Sequence, residues 1–278
     1  MENISVRRLA NLLLALAVLL GAFAACQKKT ETAAAPASPT PAKAMPAADT
    51  PGASSAPSAA VAPPITGPVT PALVSQGADS ITQYLHFPKD PESALANGAV
   101  QFYCDITPEG TVTATQALIG STDAFRNAVQ TALDWGRFTP ATIDQKPVPV
   151  YLGGTVLFLH ENGEEVIVVS LTTDRDRVRK MTNYIQPQLI GGLRPTMERA
   201  ISSLPPDNNA VSGKAEVMVT IDEHGALTAT SKISESPKGS GLGTLLENAL
   251  KGAQFTPAYE NAKPASGTIN VVADFDQF

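Results

Sequence analysis

Few side chains in this sequence are placed for chemistry. The histidines, His86, His160 and His224, fall near a helix end, at a strand end and in a turn, so each reads as a surface or turn residue. Gly239-Ser-Gly-Leu-Gly243 has the glycine density of a phosphate-cradling loop. It lacks the Lys-Ser/Thr pair that reaches nucleotide phosphates and metal, and it lacks GxGxxG spacing, so it reads as a flexible helix start. Asp222-Glu223 offers two carboxylates, which a turn ordinarily leaves solvated. Neither Cys26 nor Cys104 belongs to a CxxC pair or a Cys/His cluster. Cys104 lies on the apolar phase of a strand pattern and reads as a packed core thiol. No GxSxG elbow or HExxH pair occurs. The expectation is a protein that is not an enzyme, with no cofactor, metal or small-molecule substrate.

Cys26 has a different setting. Arg7-Arg8 leads into the apolar run Leu9–Ala25, and Cys26 closes it ahead of Gln27-Lys28-Lys29. A basic start, a short apolar stretch and small residues before a break describe a secretory signal. At 17 residues the run is at the lower limit for crossing hydrocarbon, which leaves an uncleaved anchor as the competing reading. Phe23-Ala-Ala-Cys26 resembles a bacterial lipobox. That resemblance implies a signal peptide over residues 1–25 and acylation of Cys26 as the mature N-terminus. Gln27, standing where aspartate would retain such a protein at the inner membrane, implies an outer-membrane lipoprotein on the periplasmic face of the cell envelope.

Residues 26–70 are expected to be a disordered tether. Ala, Pro, Ser and Thr dominate, with one weak apolar cluster at Val61–Ile65. Such a composition cannot bury enough surface to offset the entropy of ordering, and the recurring prolines defeat the helix that its alanines would favour. As a flexible coil, ~44 residues span about 35–40 Å. The formal net charge of −6 argues against nucleic acid or an anionic lipid surface as the main partner.

Beyond the tether the pattern is written twice. Phe138-Thr-Pro-Ala141 recurs as Phe255-Thr-Pro-Ala258, 117 residues on. Gly110 and Thr111–Thr115 match Gly225 and Ala226–Thr230 at 115, and Pro71–Val74 matches Pro187–Ile190 at 116. Val100, Phe102, Cys104 and Ile106 alternate with Gln101, Tyr103 and Asp105, a half-buried strand. Ala215, Val217, Val219 and Ile221 do the same against Glu216, Met218 and Thr220. Turn signals at Pro108–Gly110 and Glu223–Gly225 make each the first arm of a hairpin. Phe125, Ala128, Val129, Ala132 and Leu133 form one helix face, repeated by Leu242, Leu245, Leu246, Ala249 and Leu250. Proline then stops each helix, the phenylalanine turns inward, and a third strand follows near 148–160 and 267–275. A shorter helix precedes each hairpin, at Ile81, Tyr84 and Leu85 and at Met197, Ala200 and Ile201.

The expected fold is therefore α+β: two tandem domains, each α-β-β-α-β with a three-stranded antiparallel sheet and helices on one face. Repeat one covers 71–172, a charged connector 173–186, and repeat two 187–278. In repeat one, a turn at Glu161–Glu164 and a strand-like run at Val166–Leu171 extend the third strand into an extra hairpin.

This order resembles the TonB C-terminal domain family. Phe87-Pro88, Ile106 to Gly110 and Trp135-Gly-Arg-Phe-Thr-Pro-Ala141 carry the resemblance in repeat one. Leu204-Pro205, Ile221 to Gly225 and Phe255-Thr-Pro-Ala258 carry it in repeat two, where Gly252 stands in place of the tryptophan. The resemblance implies a TonB-type transport relative that docks an envelope or outer-membrane protein by adding a strand to its sheet. No histidine precedes His86, so the driven transmembrane helix of the family's transducers is not implied. The alternative is a structural lipoprotein that spaces or scaffolds the envelope without a single receptor.

An edge strand leaves backbone groups unpaired and can template an incoming strand. Repeat one's extra hairpin is expected to cover its edge. Repeat two ends at Phe278 with no such cover, and Thr268, Ile269, Asn270, Val271, Val272 and Ala273 include no guarding lysine or proline. These six are the expected partner-binding residues, with repeat one as the spacer.

Overall fold

The computed structural model describes residues 67–90, 92–93, 95–205 and 211–278. Cys26, the apolar leader and the tether through residue 66, with its Val61–Ile65 cluster, lie outside them. The last residues assigned to the tether do not, because Val69–Thr70 already forms strand β1.

The chain continues through β2 (Leu73–Val74), α1 (Ile81–Tyr84), β3 (Gly98–Ile106), β4 (Val112–Gly120), α2 (Asp123–Trp135), β5 (Phe138–Thr139), β6 (Ala141–Ile143), β7 (Lys146–Val148) and β8 (Val150–Glu161). The extra hairpin is present as β9 (Glu164–Ser170), and the connector folds into α3 (Arg175–Arg179). The order then recurs as β10 (Tyr184–Ile185), β11 (Leu189–Ile190), α4 (Leu193–Ser202), β12 (Lys214–Ile221), β13 (Leu227–Ser236), α5 (Leu242–Lys251), β14 (Gln254–Phe255), β15 (Ala258–Glu260), β16 (Lys263–Ala265) and β17 (Gly267–Asp274). The fold is mixed α and β with several antiparallel sheets. β10 pairs with β15 as β1 pairs with β6, so residues 184–185 of the expected connector belong to the second repeat.

Local rules explain the joints. Thr122 accepts from the Phe125 N–H at the start of α2, with Asp123 in the first turn to suit the helix dipole. The helices stop at Gly136 and Gly252, earlier than the prolines require. A Cβ at Gly136 would collide with the Cα of Ile81, so glycine lets α1 close on the helix end. Phe138 and Phe255 turn into the core, 2% and 1% exposed. Each is pressed against its own hairpin turn. Gly110 and Gly225 sit at φ 82° and 84°, and a Cβ at either would strike the carbonyl oxygen of Phe138 or Phe255. Only glycine satisfies both conditions.

The second repeat's main sheet has the expected three strands, ordered β13-β12-β17. Its β12 alternates buried and open residues. Val217, Val219 and Ile221 pack with Leu193 and Met197 of α4 and Leu242, Leu246 and Leu250 of α5. The first repeat departs from expectation. Its sheet has six strands, β14-β11-β8-β3-β4 with β9 also on β8. Both of its faces are covered. Val100, Phe102, Cys104, Ile106, Leu152 and Phe158 meet Phe125, Val129 and Leu133 of α2. On the other face Tyr103 and Tyr151 join the core of the second repeat, while Leu157 and Leu159 meet Val178 of α3. Tyr103 and Asp105 are thus buried, not the open side of a half-buried strand.

Candidate docking edges

The residues first screened for chemistry have structural places. Among the described residues, no group of three or more His, Cys, Asp or Glu side chains is placed to hold a metal ion. No helix there is long and apolar enough to cross a membrane. Cys104 is fully buried, and burial pushes its thiol well above the usual range. His86 and His224 are exposed. Asp222 accepts from the N–H groups of His224 and Ala226, at 2.9 and 2.8 Å, which makes it a turn residue. Gly241 starts α5, and Glu235 accepts from the Gly239 and Gly243 N–H groups, at 3.0 and 2.9 Å. Trp135 of the joint stands at the surface, 71% exposed.

The expected docking strand Thr268–Ala273 lies within β17, and its outer edge is not free at Val272. The Tyr151 hydroxyl accepts from the Val272 N–H at 2.8 Å and donates to the Val272 carbonyl at 3.2 Å. Two positions on, the Asp274 N–H donates to the Gln116 side chain at 3.3 Å. Ile269, Val271, Val272 and Ala273 are buried and Asn270 is half-buried, bonded to Glu216 at 2.9 Å, which leaves Thr268 exposed. The cover over this end of the strand comes from repeat one. An open edge requires unpaired backbone groups, and side chains of the neighbouring repeat have taken those of Val272 and the Asp274 N–H.

Other contacts fix the same arrangement. β11 pairs with β8, Leu189 opposite Tyr151 and Ile190 opposite Val150. Gln188 bonds both backbone groups of Ala72, at 2.7 and 2.9 Å, an amide doing the work of a strand partner. Asp105 accepts from the Leu193 N–H at the start of α4, at 2.6 Å. Burial pushes its carboxyl up to about 6, against the downward pull of that N–H. Arg177 of α3 pairs with Glu260 at 2.9 Å and lies 3.6 Å over the Tyr184 ring.

Among the described residues, three longer strands of the main sheets besides β17 pair on one side only, and two of them are guarded. β4 and β13 each pair with one strand and carry register shifts. Gln116 and Ile233 are the residues left without a partner across one such shift in each strand, and bulges twist an edge away from flat pairing. β13 adds Lys232, and on β4 the Thr115 and Gly120 carbonyls accept from Gln277 and Arg126, at 3.2 and 3.1 Å. β9 differs. It pairs with β8 alone, with unbroken register from Glu161 opposite Glu164 to Thr155 opposite Ser170. Its centre is Val166-Ile-Val-Val169, half-buried and free of lysine and proline. The turn is Asn162-Gly163, with φ of 54° and 82°, the two-residue geometry that makes Glu161 and Glu164 a hydrogen-bonded pair. Alternation then turns the N–H and C=O groups of Glu165, Ile167 and Val169 outward. The sequence had shown β9 as a cover, and it is one, but a cover that presents an edge of its own.

Comparison with models of protein families, with curated proteins and with solved structures finds no match for this chain.

Proposed function

We propose that this protein is a lipid-anchored periplasmic interaction module of two TonB C-terminal-like repeats, which docks an envelope or outer-membrane protein by strand addition on β9. The observation carrying this reading is the regular, apolar β9, paired on one side only. The lipobox-like Phe23–Cys26 and the Ala/Pro-rich tether support the location, since a lipid end and a long flexible span would let the folded part sample the periplasm. A photo-reactive side chain at Ile167 is expected to crosslink one discrete envelope protein in intact cells, and the same group at Asn270 none. Crosslinking at Asn270 with silence at Ile167 would refute docking on β9. Cys26→Ala should abolish fatty-acid labelling and leave the protein unprocessed or mislocalised; persistent labelling contradicts the anchor.

One observation favours the scaffold reading. The edges of the two corresponding strands, β8 and β17, are both engaged from within the chain, β8 by β9 and β11 and β17 at Val272 and Asp274 by Tyr151 and Gln116. If crosslinks form at neither position, the module is a spacer that holds its repeats as one body.

A further inference from the structure

We infer that the segment taken up by β9 is an extended, β-branched strand of another protein, running antiparallel to β9 and carrying a lysine or arginine at its C-terminal end. The inference rests on the docking reading above and names the partner's chemistry. Every pairing of the main sheets is antiparallel, and that pairing is the stronger per residue. β9 runs from the hairpin tip at Glu164 toward Ser170, so an antiparallel segment ends beside the tip. There the charges are unbalanced. Glu161 and Glu164 are direct cross-strand partners, a like-charge pairing that weakens a sheet. Among the described residues, Glu161, Glu164 and Glu165 make no ion pair within 4 Å, and one Glu161 carboxylate oxygen is buried without a partner. The incoming residue opposite Glu164 shares its face, so a cation there sits beside the pair.

The middle of the segment meets different demands. Opposite Val166 to Val169 it must be β-branched or aromatic to pack on a half-buried apolar strand. Ile167 and Val169 border the helix-side core and Val166 and Val168 the α3-side cluster, so both faces of the added strand meet apolar neighbours. A cavity of about 590 Å³ lined by His86, Phe87, Pro88, Lys89 and Glu165 lies at the tip end of the helix-side face. Because Lys89 lines it, the basic residue belongs opposite Glu164 on the other face. A second copy of this chain fits worse: antiparallel pairing centred on Ile167 sets Glu164 against Ser170 and leaves its charge unanswered.

The probe is a short labelled peptide of alternating valine and threonine ending in lysine, compared at low salt with the same peptide ending in glutamate. The lysine form should bind the full chain about fivefold tighter. Glu164→Lys should invert that order, and Ile167→Pro, which removes an outward N–H, should abolish both. Equal affinities that vanish in Ile167→Pro overturn the charge inference and leave β9 docking standing. Absent binding, or binding that survives a folded Ile167→Pro, overturns the docking reading itself. Should the proline variant not fold, inversion by Glu164→Lys decides alone. A dimer of the protein by itself, dissolved by Ile167→Pro, would show that a second copy is the occupant and overturn the inference.

Discussion

The first repeat's sheet is buried on both faces and the second's on one, although the same elements follow in the same order. Few positions make the difference. Tyr103, fully buried, corresponds at 115 residues to Met218, 36% exposed. Asp105, which holds the start of α4, corresponds to Thr220, and Tyr151, which bridges the edge of β17, corresponds at 117 to the exposed Thr268. Ala72 corresponds at 116 to Gln188, the residue that bonds to it. The helix-side residues, by contrast, keep their type. The same element order thus keeps one sheet face for its own core in both repeats and, in the first only, packs the other against the second.

The largest effects should fall where the repeats agree. Phe138→Ala and Phe255→Ala should each cost ~3–5 kcal/mol, the range for aromatic truncation in cores. Because Tyr103 and Tyr151 are built into the second repeat's core, either variant should lower one shared unfolding transition. Two separately melting transitions by calorimetry would break the account of a joined core. Where the repeats disagree, the costs should separate. Tyr103→Ala should lose ~3–5 kcal/mol in denaturant titrations, and Met218→Ala less than about 1 kcal/mol.

Asp105 sharpens the comparison through pH. Its carboxyl titrates at about 6 in the folded protein, against an ordinary 3.8, so the folded state holds the proton more tightly. The stability gained is complete below the unfolded value and is lost as pH rises through about 6, up to ~3 kcal/mol in all. Between about pH 4 and pH 7 the wild type should therefore weaken relative to Asp105→Asn, and the slope difference, not the absolute stability, is the readout. A variant with the wild-type slope would place the Asp105 carboxyl in water.

The smallest effects concern hydroxyls. Tyr151→Phe removes the hydroxyl bonded to both Val272 edge groups and should cost ~1–3 kcal/mol, the penalty for buried backbone groups left unpaired. Thr268→Ala, its counterpart, should stay within about 0.5 kcal/mol. Equal losses would mean that the tyrosine only fills space.

Much of this was legible in the sequence. The repeated Phe-Thr-Pro-Ala joints, the hairpins and the helix faces follow from local periodicity, and local periodicity survives into the fold. The burial of both sheet faces was also partly written. Tyr151-Leu-Gly-Gly-Thr-Val-Leu-Phe-Leu159 is nearly continuous in small and apolar residues, the mark of a strand covered on both sides, while Lys214–Ile221 alternates. What could not be read was which surface covers which. A tyrosine hydroxyl reaching Val272 across 121 residues of chain leaves no periodic trace, so local pattern gives no sign that β17 is covered there. β9 was recognised as a strand and as a cover, and its Val-Ile-Val-Val run without lysine was available as the sign of an unguarded edge.

Amide hydrogen exchange resolved to single residues tests the central claim most directly, because it reads the two edges in one sample. The Val272 N–H, pointing away from β12 yet bonded to Tyr151, should be protected as strongly as the inward-facing Val271 N–H. The outward Ile167 N–H of β9 should exchange quickly beside protected Val166 and Val168. Fast exchange at Val272 with protection at Ile167 would contradict the account, returning the open edge to β17 and closing β9.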